Sequence, residues 1–443
     1  MCFVSMFSIR SWPLCSPSNS WSIAKLSDPT CYELANHVVT ITVIYIVDCC
    51  LLNADCYTKE MNQQLQPDAF DFIQVQANSI NHRVAAVRGF PPSPSASLTA
   101  SRNVPLIMLL HGWPESWYSW RHQLLVLADA GYHVCAPDMR GYGDTDAPMA
   151  VEEYTIDVLC KDVIQIAQQL GYLTIIVVGH DLGAYLAWHI ALLHRDCVLA
   201  VCAMSIPYMG HSPSNMPMLT QLQQVWGKSL TEEPYCARKD EQESAHFHYI
   251  LHHNLPYADQ EYNKNTYEAL YRLYTMRPSA AQDPPEMTDK FMFPTSHRVS
   301  EQLDARSAPG LWARLPRSFD FPDWLTTVEF EYYVREFQRN GFAGGLSWYK
   351  ALDANWFQTR HLQGEVVQQP ALFIVGEHDT MVLENHGGMN RIIKAVRKNC
   401  KALISLVVLP KTGHWIQQER PNEVNEALLA FLDSLPVELL SKL

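Results

Sequence analysis

One carboxylate in the sequence lies in a position typical of a nucleophile. Asp181 follows the apolar run 174–178 and precedes the helix-forming segment 184–193. The flanking Gly179 and Gly183 permit a sharp strand–turn–helix connection, which presents the side chain between them at the edge of a sheet. A carboxylate alkylated by a carbon electrophile becomes an ester that water can release, whereas an alkylated serine becomes an ether. The alternative interpretation is an Asp that caps the following helix.

Two further residues with catalytic side chains follow later apolar runs. Asp379 comes after the run 371–375 and His414 after the run 403–409. The carboxyl ends of parallel strands meet at one edge of a sheet, so we expect both residues to lie near Asp181. The order nucleophile, acid, histidine is that of the α/β-hydrolases. Taken singly, Asp379 would most often be a turn residue and His414 a surface or core histidine, but three candidates at the ends of successive strands make a coincidence unexpected.

The elements that must position these residues alternate between strand and helix. A hairpin is predicted from 70–75 and 80–87, followed by strands at 104–110, 132–137, 174–178, 198–206, 371–375 and 403–409, with helices at 154–170 and 422–435. This alternation predicts an α/β fold, with a mostly parallel sheet and helices on both faces. Between 207 and 370 no core strand is predicted, but helices are expected at 267–275 and 328–339. We interpret this segment as an inserted helical cap.

The predicted domain organisation follows from this pattern. Residues 61–207 form the first part of an α/β-hydrolase core, 208–365 the helical cap and 366–443 the second part of the core. Residues 1–60 are rich in Ser and Cys and poor in charge, and we interpret them as a leader without stable structure. The apolar run 38–47 is shorter than the roughly 20 residues that a membrane helix needs, so membrane association is not expected.

Composition limits the class of partner. The 443 residues carry a formal charge of −13 and show no basic stripe, which argues against a nucleic-acid partner and favours a small, largely uncharged substrate. The later six of the 12 cysteines show no metal or disulfide spacing.

A histidine-rich stretch in the cap is a competing candidate site. Its members are Glu243, His246, His248, His252 and His253. His248 and His252 have the i, i+4 spacing that can bind zinc, but no HExxH arrangement is present. A solvated or partly packed helix face explains the cluster more simply, and we predict no metal.

From about Phe70 to its end the chain resembles the epoxide hydrolases of the α/β-hydrolase fold and is similar to the soluble epoxide hydrolases. Residues 111–121 (HGWPESWYSWR) correspond to the HGxP oxyanion motif, with Trp113 where phenylalanine is usual. Residues 136–143 (APDMRGYG) resemble the second signature loop. Residues 179–183 (GHDLG) resemble the elbow, with Leu182 where tryptophan is often found.

The resemblance implies roles for residues that spacing alone does not assign. It makes Tyr249 and Tyr349 the cap acids that protonate the epoxide oxygen, and the backbone amides of Trp113 and Leu182 the oxyanion hole. It implies hydrolysis of a small apolar epoxide by water to a vicinal diol, through an aspartyl ester and without a cofactor. The motif around Tyr249 is short, so a structural ring is the alternative there.

Two other functions remain open at this point. A haloalkane dehalogenase shares the aspartate nucleophile and histidine base but needs halide-binding donors, and Leu182 stands where such enzymes usually carry tryptophan. The paired tyrosines favour an epoxide. A non-catalytic binding protein of the same fold is the second alternative, and the complete triad argues against it.

The final residues Ser441, Lys442 and Leu443 form the S-K-L signal read by the peroxisomal import receptor. They follow Pro436, which is expected to end the last helix and leave a short tail in solution. The sequence therefore predicts a peroxisomal protein with a cytoplasmic fraction.

Overall fold

The computed structural model describes residues 65–90, 105–211, 217–226, 249–275, 320–379, 382 and 386–436. The strands are β1 (Phe70–Ala77), β2 (Ile80–Val87), β3 (Leu106–Leu110), β4 (His133–Pro137), β5 (Ile175–His180), β6 (Val198–Met204), β7 (Val367–Gly376) and β8 (Cys400–Leu409). The helices are α1 (Arg121–Asp129), α2 (Ile156–Gln169), α3 (Leu182–Leu193), α4 (Met218–Trp226), α5 (Tyr249–His253), α6 (Ala258–Lys264), α7 (Thr266–Tyr274), α8 (Thr327–Asn340), α9 (Ala343–Lys350), α10 (Leu352–Thr359), α11 (Met389–Asn399), α12 (Ile416–Glu419) and α13 (Pro421–Asp433).

The strands form one sheet in the order β1-β2-β4-β3-β5-β6-β7-β8. The hairpin β1–β2 is antiparallel and joins β4 antiparallel, whereas every pair from β4 to β8 is parallel. The predicted fold class is confirmed. Parallel pairing matters for function because the loops after β3, β5, β7 and β8 all leave the same edge of the sheet.

The central strands are buried on both faces. Every residue of β3, β5 and β6 is buried, which explains why these strands are continuous apolar runs instead of alternating patterns. Helix α3 packs against β5 and β6 and is apolar nearly all round, as expected for a helix within the core. Strand β5, which leads into Asp181, therefore pairs with β3 and β6 at its edges and packs against α3.

The observed elements differ from the predicted ones mainly at their ends. Strand β7 begins at Val367, four residues before the predicted run, and β5 continues through Gly179 to His180. Pairing with neighbours extends these strands, because a polar or small residue still donates and accepts backbone hydrogen bonds in a ladder. The predicted leader 1–60, the apolar run 38–47 and the signal 441–443 lie outside the described residues.

Between β6 and β7 the described residues form helices and no strand. Helix α8 begins at a capping box between Thr326 and Glu329. It is joined to the core through buried polar contacts: the Trp117 Nε1 donates to the Tyr332 hydroxyl at 2.7 Å, and the Arg121 Nε donates to Glu329 at 2.8 Å. Within the part of the chain that the structure describes, helices are too short or too polar to cross a membrane.

Candidate active site

Asp181 occupies a strained turn between β5 and α3. Its φ of 52° and ψ of −122° lie in a region that residues with a side chain rarely adopt. The turn requires glycine at position 179, because Gly179 and Gly183 lie so close together that a Cβ on Gly179 would overlap the carbonyl of Gly183. The backbone thus lifts the Asp181 carboxylate above the sheet edge, as a nucleophile elbow does.

The three residues predicted to act together are brought together. The His414 Nδ1 lies 3.1 Å from both carboxylate oxygens of Asp379, and its Nε2 lies 3.5 Å from the Asp181 Oδ2. All three side chains are buried. They come from the loops after β8, β7 and β5, so the parallel sheet creates the cluster.

The buried charges in this cluster stabilise one another. Burial opposes ionisation of Asp181, but the hydrogen bond and charge of His414 outweigh it, and the pKa of Asp181 is lowered. Burial likewise disfavours a charged His414, yet the carboxylates of Asp379 and Asp181 raise its pKa well above the usual value. The Asp181 carboxylate is therefore ionised and available as a nucleophile.

The turn after β3 supplies an amide to the same carboxylate. The backbone N–H of Trp113 donates to the Asp181 Oδ1 at 3.0 Å, and the Trp113–Pro114 peptide is cis. Leu182 is the first residue of α3, where backbone amides have no partner within the helix. Both residues predicted to form an oxyanion hole therefore border Asp181.

The two predicted tyrosines lie side by side in the cap. Tyr349 lies in α9 and Tyr249 begins α5, with ring centroids 6.1 Å apart at 82°. The Tyr349 ring also meets the Trp113 ring edge-on at 5.9 Å. Burial, with the nearby Asp181 charge, raises the pKa of Tyr349 well above its usual value, so its hydroxyl keeps its proton.

A buried carboxylate–histidine pair was not predicted. The Glu115 Oε2 accepts hydrogen bonds from the Gly112 amide and the His180 Nδ1, both at 2.8 Å, while Gln417 donates to Oε1 at 2.8 Å. The His180 Nε2 lies 2.8 Å from the carbonyl of His414. Burial opposes ionisation of Glu115, but His180 lowers its pKa overall. The pair therefore links the turn after β3 to the turn that carries Asp181 and to the loop after β8 that carries His414.

Glu419 is a second residue that the sequence did not reveal. Its carboxylate accepts the amides on both sides of His414, from Gly413 at 2.7 Å and from Trp415 at 2.8 Å. The local signal was present, because a carboxylate five residues after a histidine can reach back from a short helix, but this spacing is too common to single out. Glu419 therefore holds the backbone on both sides of His414.

The histidine cluster of the cap is only partly described. Glu243, His246 and His248 lie outside the described residues. The His252 Nε2 lies 3.0 Å from a Glu261 carboxylate oxygen, and the His253 Nε2 lies 2.9 Å from the Tyr262 hydroxyl. Within the described ranges no three His, Cys, Asp or Glu side chains are grouped so that they could hold a metal.

Comparison with known proteins identifies the family of the chain. Residues 105–421 match the family model of the alpha/beta hydrolase fold. Since this match covers most of the chain, the fold and the site together define an α/β-hydrolase.

Individual relatives give a narrower assignment. Epoxide hydrolase A of Mycobacterium tuberculosis is 35% identical over 75% of this chain and 91% of its own length. The crystal structure of epoxide hydrolase A from Mycobacterium thermoresistibile covers 83% of this chain and 99% of its own, with a TM-score of 0.65 and 34% identity. Potato epoxide hydrolase I covers 82% of this chain and 99% of its own, with a TM-score of 0.62 and 28% identity. The chain belongs to the epoxide hydrolases of the α/β-hydrolase fold.

Proposed function

We propose that this protein hydrolyses epoxides to vicinal diols through a covalent ester of Asp181. The observation that carries the proposal is the environment of one carboxylate. The Asp181 Oδ1 accepts the amide of Trp113, while Oδ2 faces the His414 imidazole. Both oxygens thus have distinct surroundings, one suited to becoming a carbonyl oxygen and the other to forming a bond.

In the first step the Asp181 Oδ2 attacks a ring carbon of the epoxide. The C–O bond of the strained ring breaks, and its electron pair stays on the epoxide oxygen. Tyr249 and Tyr349 hydrogen-bond this oxygen, and one of them transfers a proton to it as the bond breaks. The raised pKa of Tyr349 keeps its hydroxyl protonated, so the hydroxyl is present as a hydrogen-bond donor to the epoxide oxygen before the ring opens. The product of the step is a hydroxyalkyl ester.

In the second step water hydrolyses that ester. Ester formation removes the Asp181 charge, one of the two carboxylate charges that raise the pKa of His414, so the imidazole can lose its proton and act as a base. His414, oriented by Asp379, then accepts a proton from a water molecule whose oxygen attacks the Asp181 carbonyl carbon. The oxyanion develops on Oδ1, where the amides of Trp113 and Leu182 stabilise it. Collapse of this intermediate breaks the bond between the Asp181 carbonyl carbon and the alkyl oxygen, which takes the proton from the His414 imidazolium and completes the diol. The proton left on the Asp181 carboxyl group returns to the tyrosinate formed in the first step, so the carboxylate and both tyrosines are regenerated. Epoxide and water supply every atom of the product, so the reaction requires no cofactor.

The test is an assay of the purified protein against two substrate classes. We expect a chromogenic epoxide to yield diol, and a haloalkane of similar size to release no halide. Halide release without diol formation would assign the protein as a dehalogenase. Absence of both products, with saturable binding of the epoxide, would assign it as a binding protein.

We also propose import into peroxisomes through Ser441, Lys442 and Leu443. The proposal is supported by the S-K-L sequence alone, since these residues lie outside the described ranges. The import receptor reads this tripeptide at a free carboxyl terminus.

A further inference from the structure

The helix that carries Tyr349 rests directly on the core loop after β4. At its N-terminal end the backbones of Gly344 and Gly141 are in contact: a Cβ added to Gly344 would lie 2.5 Å from the Gly141 Cα. Gly141 itself has a φ of +87°, which favours glycine. The absence of both side chains allows α9 to approach the loop more closely than any other residue pair would permit.

A hydrogen bond holds the C-terminal end of α9 to the same loop. The Trp348 Nε1 donates to the backbone carbonyl of Arg140 at 3.0 Å, and the Trp348 side chain is buried. The loop is itself rigid at this point, because the Arg140 guanidinium donates to both oxygens of Asp162, each at 2.7 Å. Such bidentate pairs are geometrically specific. Trp348 therefore binds α9 to a fixed part of the core.

These two contacts together determine how α9 is rotated about its axis. The helix has only eight residues, so a contact near each end leaves little freedom. Trp348 and Tyr349 are neighbours and project about 100° apart around the axis. A rotation that releases the Trp348 hydrogen bond must therefore swing the Tyr349 ring, and the hydroxyl at the tip of that ring moves farthest.

Tyr249 has a different kind of support. It begins the five-residue helix α5, whose following Asn254 donates to the backbone carbonyl of Tyr349 at 3.4 Å. The Tyr249 ring lies against the Tyr349 ring. These contacts position Tyr249 against Tyr349. Tyr349, in contrast, is positioned by the contacts of its helix with the core loop.

We propose that Trp348 is a positioning residue for the reaction, which holds the Tyr349 hydroxyl over the epoxide oxygen by binding α9 to the carbonyl of Arg140. Gly344 serves the same purpose by allowing close approach. The inference rests on the proposed function, since it assumes that Tyr349 is an acid in the alkylation step. Ester hydrolysis uses His414 and the oxyanion amides, so it is not expected to depend on this contact.

The experiment measures both chemical steps in single turnovers of the whole protein. Trp348→Phe keeps an aromatic ring but removes the N–H donor, and Gly344→Ala pushes the opposite end of α9 from the loop. The matched control is Tyr332→Phe, which removes another buried hydrogen bond between cap and core, from Trp117 at 2.7 Å. Circular dichroism and thermal unfolding check that each variant is folded.

We expect Trp348→Phe and Gly344→Ala to slow alkylation by roughly tenfold to a hundredfold, as a displacement of about 1 Å at a reacting group does. In these two variants the rate of ester hydrolysis should change by less than about twofold. In the control Tyr332→Phe the rates of alkylation and of ester hydrolysis should each change by less than about twofold. In a Tyr349→Phe background, Trp348→Phe should add almost nothing, because the hydroxyl that it positions is absent.

Two outcomes separate the possible failures. If Tyr349→Phe alkylates at the normal rate, the acid role of Tyr349 is wrong and the proposed function must be revised. If Tyr349→Phe is slow but Trp348→Phe alkylates at the normal rate, the positioning role of Trp348 is wrong while the proposed function stands. The same conclusion follows if Trp348→Phe slows alkylation equally with and without the Tyr349 hydroxyl. If Trp348→Phe does not fold, Gly344→Ala alone and combined with Tyr349→Phe decides between the same outcomes.

Discussion

The His414 Nε2 lies 3.5 Å from the Asp181 Oδ2, at the long limit of a hydrogen bond. His414, the proposed base, is therefore close enough to the proposed nucleophile to activate a water molecule beside an ester formed there. This separation suits a two-step reaction, because the nucleophile must first bond to the substrate and only then be approached by activated water.

Replacement of the nucleophile should abolish turnover. We expect Asp181→Ala to form no diol while retaining its fold, because no other carboxylate occupies the elbow. The measurement is diol formation by the purified variant, with the exposed-site variant Asp196→Ala as control. Substantial residual diol from Asp181→Ala would show that water attacks the epoxide directly and that the ester scheme is wrong.

Replacement of the base should stop the reaction at the ester. In His414→Gln, alkylation can proceed but no group accepts the proton of the attacking water, so the intermediate should accumulate. Intact-protein mass spectrometry should show a mass increased by one substrate. His361→Gln, at an exposed site, should show no adduct. Absence of an adduct in His414→Gln, with a substrate that binds, would count against His414 as the hydrolytic base.

Loss of both cap hydroxyls should slow alkylation severely. Since one hydroxyl can still serve in each single variant, Tyr249→Phe and Tyr349→Phe should each cost less than the double variant. Rapid mixing with measurement of ester formation gives the rates, and Tyr267→Phe, at an exposed cap tyrosine, is the control. A near-normal rate in the double variant would reassign the acids.

Replacing Glu419, which supports the loop that carries His414, should lower the stability of the protein and slow ester hydrolysis. Glu419→Gln replaces one acceptor oxygen with an NH2 group that faces a backbone N–H, at a cost of about 1–3 kcal/mol in the free energy of unfolding. Ester hydrolysis should slow more than alkylation, because the displaced loop carries the base. Urea unfolding and single-turnover kinetics measure the two effects.

Glu426→Gln is the matched control for that variant, since Glu426 is an exposed carboxylate on α13. Equal slowing of both steps in Glu419→Gln would indicate a general loss of structure, and the specific role in holding His414 would then be wrong.

Fluorescence imaging tests the predicted peroxisomal localisation. A fluorescent protein fused before residue 1 leaves the Leu443 carboxylate free, and we expect punctate peroxisomal signal with a cytoplasmic fraction. Deletion of residues 441–443 should leave only diffuse signal. A reticular or diffuse pattern that the deletion does not change would contradict the prediction.

Much of the core and the triad could be predicted from the sequence, because their signals are local. The apolar run before Asp181, its flanking glycines, and the runs before Asp379 and His414 each indicate a strand that ends at a functional residue. In a parallel sheet such ends share one edge, so the strand pattern alone brings the three residues together. Tyr249 and Tyr349 were different, since only resemblance singled them out among 20 tyrosines.

The tertiary structure decided which buried polar groups support this site. Glu115 bonds to His180, 65 residues away, and to Gln417, 302 residues away. Trp348 reaches Arg140 across 208 residues. Periodicity reports which face of an element is buried but not which loop lies opposite, whereas a buried donor or acceptor takes whichever partner the strand order brings within about 3 Å. The positions of Asp181, Asp379 and His414 at strand ends follow from local sequence, and the contacts that fix their geometry follow from the packing of distant described segments.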